Sequence, residues 1–164
     1  MPTAVLSVSD VLQSIQHWDH WTEIQQGAEK EYGITGEEFD QTLPEYQKFL
    51  ALVAIGHRHL GMFSEAVDKI WHAHILNTQL YEVFCACFFG NFMHHSPNLS
   101  RTTVNEDICT PQCKTPLPPC NIKPRSKEAS QPTFEDFQRA YQSAFGPIAS
   151  LWNRHSTDAI ALQA

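Results

Sequence analysis

The sequence predicts an all-α fold, a bundle of about four helices with a long proline-rich loop before the last one. In four segments, apolar residues recur at the three- and four-residue spacing of a helix. The alternation of apolar and polar residues that is typical of a strand is absent throughout. A chain of 164 residues is long enough for one domain and too short for two ordinary ones. We therefore expect a single helical domain over residues 1–164.

The first two helices are predicted from apolar stripes and capping residues. The N-terminal helical region, residues 8–33, carries apolar residues at helical spacing after a cap at Ser9. Thr42, followed by Glu45, has the pattern of a capping box. We expect the second helix to begin there, with Pro44 in its first turn, where a missing N–H costs little.

The second helix is predicted to end at Gly61, and His57 then falls on its apolar stripe. This position predicts that His57 points inward. A third helix is expected from a cap at Ser64 to about Phe89, with Gly90 as its terminator.

The C-terminal part of the chain divides at its prolines. Residues 42–97 hold most of the histidines, and residues 98–132 are rich in proline and lack periodicity, which predicts a long loop. A closing helix over residues 133–152 is expected from a cap at Thr133, with a break at Gly146.

Charge and composition exclude several classes of protein. The net charge of −7 argues against a nucleic-acid binder, since such a protein needs a basic face. No apolar run approaches the roughly 18 residues that a membrane helix needs, so no membrane span is predicted. The first ten residues lack the basic start and apolar run of a secretory signal, so we expect a cytoplasmic protein.

One polar strip interrupts an otherwise apolar third helix. Asp68 and His72 lie four residues apart on it, and therefore on the same face. In one interpretation the strip is the solvent face and the two side chains pair with each other. In the other, they are two ligands of one metal ion, because two histidines and a carboxylate form the ligand set of non-haem iron sites.

Further histidines extend the second interpretation. His57 on the preceding helix, and His94 with His95 just after the third helix, are candidate additional ligands. His74 lies within the apolar arc, where it is either a further ligand or a core histidine bonded to a backbone carbonyl.

The cysteines favour no particular site. Cys109, Cys113 and Cys120 are spaced like part of a zinc site but lack an obvious fourth ligand. Cys85 and Cys87 point apart on a buried helix, so we interpret them as core residues.

Three stretches of this chain resemble the glycine-rich domain-containing protein-like family of bacteria, fungi and plants. They are Glu45 to Leu52, the run V-D-K-I-W-H-A-H-I-L from Val67, and F-G-N-F-M-H-H-S-P from Phe89. The resemblance covers about residues 42–97, and the closing helix is also similar. It implies that Asp68, His72, His74, His94 and His95 define the family, whereas His57 and the cysteine loop are outside its pattern.

The sequence thus predicts a mononuclear transition-metal site in a helical domain. The expected ligands are Asp68, His72 and one of His94 and His95, with His57 or His74 as an additional ligand or a neighbour. Iron, copper or zinc suits these donors better than calcium or magnesium.

The predicted function is metal-dependent oxidation of a small molecule or peptide. Hydrolysis is the less favoured reaction, since the pattern lacks the glutamate base of a helical zinc hydrolase. The alternative from another class is a non-enzymatic interaction module, in which the histidines or the metal are structural.

Overall fold

The computed structural model describes residues 7–57, 60–95 and 133–153, and most of these residues are helical. Their helices are α1 (Val8–Gln16), α2 (Trp21–Tyr32), α3 (Gly36–Ala54), α4 (Glu65–Leu76), α5 (Thr78–Phe88) and α6 (Phe134–Phe145), followed by a 3-10 turn (Ser150–Asn153). None of the described residues forms a strand. The all-α prediction is confirmed, with six helices among the described residues in place of the four predicted. These helices belong to one unit, Met1–Met93 with Gln131–Ala164, while the second unit, His94–Ser130, is described only at His94 and His95.

Two of the predicted helix caps are confirmed. The Ser64 side chain accepts a hydrogen bond from the backbone N–H of Val67 and begins α4. The Thr133 side chain accepts one from the N–H of Asp136 and begins α6. Each cap satisfies an amide of the first helical turn, which has no partner within its own helix.

The predicted N-terminal helix is two helices joined by a corner. Its cap is Ser7 rather than Ser9, in a capping box with Asp10. The indole Nε1 of Trp21 donates a 2.9 Å hydrogen bond to the carbonyl oxygen of Ile15. This bond stabilises the turn from α1 to α2 and satisfies a carbonyl at the end of α1.

Helix α3 begins earlier than predicted. Its capping box is formed by Thr35 and Glu38, so Thr42 and Glu45 lie in the middle of the helix, and Pro44 is inside it. The Thr42–Glu45 pair matches the same sequence pattern, but Glu45 is only 8% exposed and bonds to distant side chains instead of capping.

The end of α3 corrects the prediction for His57. The helix ends at Ala54, and Gly56 follows with φ of 114°, a left-handed conformation that favours glycine. The N–H of His57 then bonds to the carbonyl of Leu52 at 3.0 Å, which closes a Schellman motif. His57 therefore lies outside the helix and is exposed, so the inward orientation was wrong.

The predicted third helix is divided at Asn77. This residue has φ of −83° and ψ of 70°, which lies outside the helical region and separates α4 from α5. Because the break changes the direction of the chain, the faces of α4 and α5 are not those of one continuous helix. After α5, Gly90 adopts φ of 69° and allows the chain to turn away, as its place in the sequence predicts.

The buried core lies between α4 and the helices on which it packs, α2 and α3, with α1 also against α3. Its largest fully buried side chains are aromatic: Trp152, Tyr46, Tyr81, Tyr141, Phe39, Phe49, Phe84 and Phe137. Burial of such rings is the main contribution to stability in a domain of this size.

The C-terminal elements are bonded to α3 through Glu45. Its Oε2 accepts hydrogen bonds of 2.7 Å from the Tyr141 hydroxyl and from the Trp152 indole, and its Oε1 lies 2.8 Å from the Lys48 ammonium. Burial raises the pKa of Glu45, but the hydrogen bonds from these three groups outweigh burial and hold the pKa below its usual range.

No helix in the described ranges is both long and apolar enough to span a bilayer. The predicted loop at residues 98–132, with Cys109, Cys113 and Cys120, lies outside the described residues. Of the other two cysteines, Cys85 is buried as predicted and Cys87 is exposed, which corrects its interpretation as a core residue.

Candidate metal centre

Asp68 and His72 form the helical half of the candidate site. They lie one turn apart on α4, and His72 Nδ1 is 3.5 Å from Asp68 Oδ2. The two side chains are 31% and 36% exposed, so this strip of the helix is accessible from solvent yet partly shielded. The stacking expected from their spacing is thus present.

His95 completes a group of three ligands. One donor atom from each of Asp68, His72 and His95 lies within 4.8 Å of the others, and all three residues are half-buried. Because metal–nitrogen bonds are about 2.1 Å long, two donors of one ion lie at most about 4.2 Å apart. The donor atoms therefore exceed this limit by no more than about 0.6 Å.

Two consecutive hydrogen bonds hold the backbone at Met93, two residues before His95. The Trp71 indole, next to His72 on α4, donates a 3.2 Å bond to the Tyr81 hydroxyl. That hydroxyl donates a 2.7 Å bond to the backbone carbonyl of Met93. The sequence does not predict this role of Tyr81, because nothing near Tyr81 indicates which later carbonyl its hydroxyl meets.

The other predicted ligands lie outside the group. Among the described residues, the cluster includes neither His57 nor His94, both of which are exposed. His74 is fully buried and also outside it. The structure thus favours His95 over His94 as the third donor.

His74 occupies the aromatic core. Its Nδ1 lies 3.0 Å from the Tyr46 hydroxyl, so its partner is a side chain rather than a backbone carbonyl. Its Nε2 has no hydrogen-bond partner in the described part of the chain. Rings of Trp18, Tyr81 and Phe84 surround it, with centroids 5.0–5.2 Å away. This burial lowers the pKa of His74 to about 3, which keeps the imidazole neutral.

Tyr32 is a neighbour of the site that sequence analysis missed. It ends α2, and its ring centroid lies 6.3 Å from that of His72 at an angle of 31°. Because α2 packs on α4, this contact brings together residues forty positions apart, and no sequence signal indicates it.

The three donors have a definite chemical preference. Two imidazole nitrogens and one carboxylate oxygen suit iron(II), zinc or copper(II), whereas calcium and magnesium require mostly oxygen ligands. Three protein ligands also leave positions on such an ion for water or substrate.

These features define an all-α protein with a partly exposed aspartate–histidine cluster. Two of its residues lie on α4, and the third lies in the segment that follows α5. A family model described as UCP032817-like matches residues 12–108, which include the whole cluster, and the chain belongs to this family. No curated protein and no solved structure matches the chain. The resemblance to glycine-rich domain-containing proteins stays a prediction.

Proposed function

We propose that this protein binds one transition-metal ion through Asp68, His72 and His95 and uses it in an oxidative reaction on a small molecule or peptide. The observation that carries the proposal is the convergence of three donor atoms within 4.8 Å. Two of them are one helical turn apart and the third comes from another segment, as a chelating site requires.

The composition of the cluster favours iron(II) among the candidate metals. Two histidines and one carboxylate on one side of an ion are typical of non-haem iron enzymes that activate dioxygen. The partial exposure of the three side chains supports a site that a substrate reaches, since a purely structural site is normally closed by four protein ligands. The cytoplasmic location stays a prediction from the sequence.

Metal analysis of the purified full chain tests the binding. We expect about one equivalent of iron, zinc or copper per chain by elemental analysis, and its loss in His72→Ala. The matched control is His20→Ala, because His20 also pairs with a carboxylate, Glu23 Oε1 at 3.1 Å, but outside any group of three donors among the described residues. Absence of metal from the wild-type chain, together with no thermal shift on adding these ions, contradicts the proposal.

Nitric oxide, as a probe for dioxygen, tests the oxidative reaction. The iron(II)-loaded chain is expected to form an iron–nitrosyl complex visible by electron paramagnetic resonance, because three protein ligands leave positions open. A chain that binds iron(II) tightly but forms no such complex has a closed metal shell.

A closed shell would favour the interaction module, in which the ion is structural. One observation supports this second candidate: His95 lies in an irregular segment, and metal ligation can stabilise a segment that has no secondary structure of its own. X-ray absorption distinguishes the two, since a structural ion has four protein ligands and a catalytic ion has fewer ligands from protein together with bound water.

A further inference from the structure

A cavity of about 420 Å³ lies beside the N-terminal half of α4. The end of α2, the first turns of α3 and the 3-10 turn supply its other walls. Its volume is in the range of small-molecule sites, which run from about 300 to 1,000 Å³. The side chains that line it indicate which class of molecule it accepts.

The charged side chains of the lining are balanced by one another. Lys69 Nζ lies 2.7 Å from Glu65 Oε1 across one turn of α4. Glu38 accepts hydrogen bonds from the N–H and the hydroxyl of Thr35, which hold its pKa below the usual range, and the Lys69 ammonium lowers this pKa further. An anion entering the cavity therefore meets two carboxylates beside the ammonium, and a cation meets the ammonium beside the carboxylates. Because like charges repel, the lining favours a neutral ligand over either ion.

Tyr32 provides an aromatic wall. It lines the cavity and is 37% exposed, which makes it one of the large apolar side chains that remain accessible on the described surface. Aromatic rings pack on one another with a gain in affinity beyond the area they bury. Ile34 and Leu151, both half-buried, add aliphatic surface to the lining. These three side chains suit a ligand that contains an aromatic ring.

Gln41 provides a polar contact for such a ring. Its Nε2 donates a 3.2 Å hydrogen bond to Glu37 Oε1, so the polar atom that it offers to a ligand is its carboxamide oxygen, an acceptor. The matching donor on an aromatic ligand is a hydroxyl group. A phenolic hydroxyl has a pKa of about 10 and therefore keeps its proton at neutral pH, which agrees with the preference for a neutral ligand.

We propose that this cavity binds a small neutral phenol. Its ring packs on Tyr32 and contacts the aliphatic side chains of Ile34 and Leu151, and its hydroxyl donates a hydrogen bond to the carboxamide oxygen of Gln41. The charged groups of the lining stay paired with one another. This binding goes beyond the proposed metal function and does not depend on it.

Tyr32 also connects the cavity with the candidate metal centre. The ring that lines the cavity is the one whose centroid lies 6.3 Å from that of His72. A bound phenol is therefore a candidate substrate for the ion, an assignment that rests on the proposed function.

Calorimetry on the metal-free full chain tests the inference. The neutral probe is para-cresol, and its charged analogues carry a carboxylate or an aminomethyl group in place of the methyl group. We expect para-cresol to bind with a submillimolar Kd and each charged analogue to bind at least about fivefold more weakly, because each brings a like charge into the lining. The methyl ether of para-cresol, which has no donor, is also expected to bind about fivefold more weakly. Failure of para-cresol to bind at millimolar concentration, or equal binding of the ether or of a charged analogue, overturns the proposal.

Variants of Tyr32 locate the binding. Tyr32→Leu is expected to weaken the binding of para-cresol about tenfold, and Tyr32→Phe to keep it near the wild-type value, which separates the loss of the ring from a disturbed helix end. The matched control is Phe92→Leu, because Phe92 is another exposed aromatic residue, 46% accessible, and lies outside the cavity lining. An equal effect of Phe92→Leu, or an equal loss in Tyr32→Phe, overturns the assignment.

Variants of Gln41 test the hydrogen bond. Gln41→Leu is expected to weaken para-cresol about fivefold and to leave its methyl ether unchanged, since only the phenol donates to the carboxamide. Gln25→Leu is the control, because Gln25 has the same pairing one turn along its helix, with Glu29 Oε1 at 3.4 Å, and is not part of the lining. Equal weakening of both probes by Gln41→Leu contradicts the assigned bond.

Two further variants separate the parts of the argument. Lys69→Gln removes the ammonium from the lining, so the aminomethyl analogue is expected to gain affinity relative to para-cresol, and an unchanged ratio contradicts the charge argument. His95→Ala is expected to remove metal and keep phenol binding. Failure of the metal proposal and failure of the phenol proposal are thereby recognised separately.

Discussion

The Tyr81 hydroxyl donates a 2.7 Å hydrogen bond to the backbone carbonyl of Met93 and accepts one from the Trp71 indole. Through these two bonds, a buried tyrosine joins the helix that carries His72 to the chain just before His95. We therefore expect Tyr81 to act as a positioning residue for the candidate metal centre.

Removal of this hydroxyl should weaken metal binding without removing a ligand. For Tyr81→Phe we expect about a tenfold loss of metal affinity, because residues that orient ligands typically contribute factors of this size. Competition with a chelator measures it. Tyr141→Phe is the matched control, since it removes a buried hydroxyl bonded to Glu45 and should lower stability while metal affinity stays the same. Equal metal affinity of the Tyr81→Phe and wild-type chains would show that the hydrogen bond to Met93 does not contribute to metal binding.

The adjacent histidines should differ in metal binding. His95→Ala is expected to reduce metal occupancy strongly, whereas His94→Ala should leave it near one equivalent, because only His95 belongs to the group of donors among the described residues. Elemental analysis of the two variants, purified side by side, compares them. A larger loss in His94→Ala would show that His94, and not His95, is the third ligand.

His74 should make the fold sensitive to mild acid. The pKa of His74 is lowered by burial to about 3, against an ordinary value of 6.5. The unfolded chain therefore binds the proton first, and stability falls as the pH drops from about 6.5 towards 3. The full loss over that range is roughly 5 kcal/mol, an upper figure for a single buried imidazole.

Thermal melts at a series of pH values test the role of His74. In His74→Leu the melting temperature should be lower at neutral pH, since the Tyr46 hydroxyl loses its partner, at a cost of about 1–3 kcal/mol. The same variant should lose less stability between pH values of about 6 and 5 than the wild-type chain. Parallel curves for the two proteins would assign the acid sensitivity to other groups.

Glu45 should stabilise the attachment of the C-terminal elements to α3. The pKa of Glu45 is lowered by its hydrogen bonds in spite of burial, so its contribution is present above the unfolded value, 4.5, and is lost as the pH falls through the folded pKa. Glu45→Gln is expected to cost about 2–3 kcal/mol at neutral pH, because it leaves the Lys48 ammonium without its charged partner. Urea unfolding measures the change, with Glu37→Gln as an exposed control that pairs only with Gln41 among the described residues.

The capping residues show what short-range chemistry determines. Ser64 and Thr133 were predicted from the sequence because a cap and its amide are only three residues apart. The alignment of Asp68 with His72 follows in the same way from helix periodicity. The absence of strand periodicity likewise predicted the all-α class, and each of these features is encoded within a few consecutive residues.

Features that depend on distant residues were decided by the tertiary structure. Thr35–Glu38 and Thr42–Glu45 are both capping-box patterns, and Glu45 is excluded from capping by bonds to Tyr141 and Trp152, 96 and 107 residues away. The selection of His95 in place of His57 has the same origin. A left-handed glycine turns the chain out of α3 before His57, and the Tyr81–Met93 bond fixes the chain before His95. The sequence by itself determined the helical class and the alignment of Asp68 with His72. The residue that joins them in the candidate site was decided by long-range packing, because helix periodicity carries no information about which segments meet.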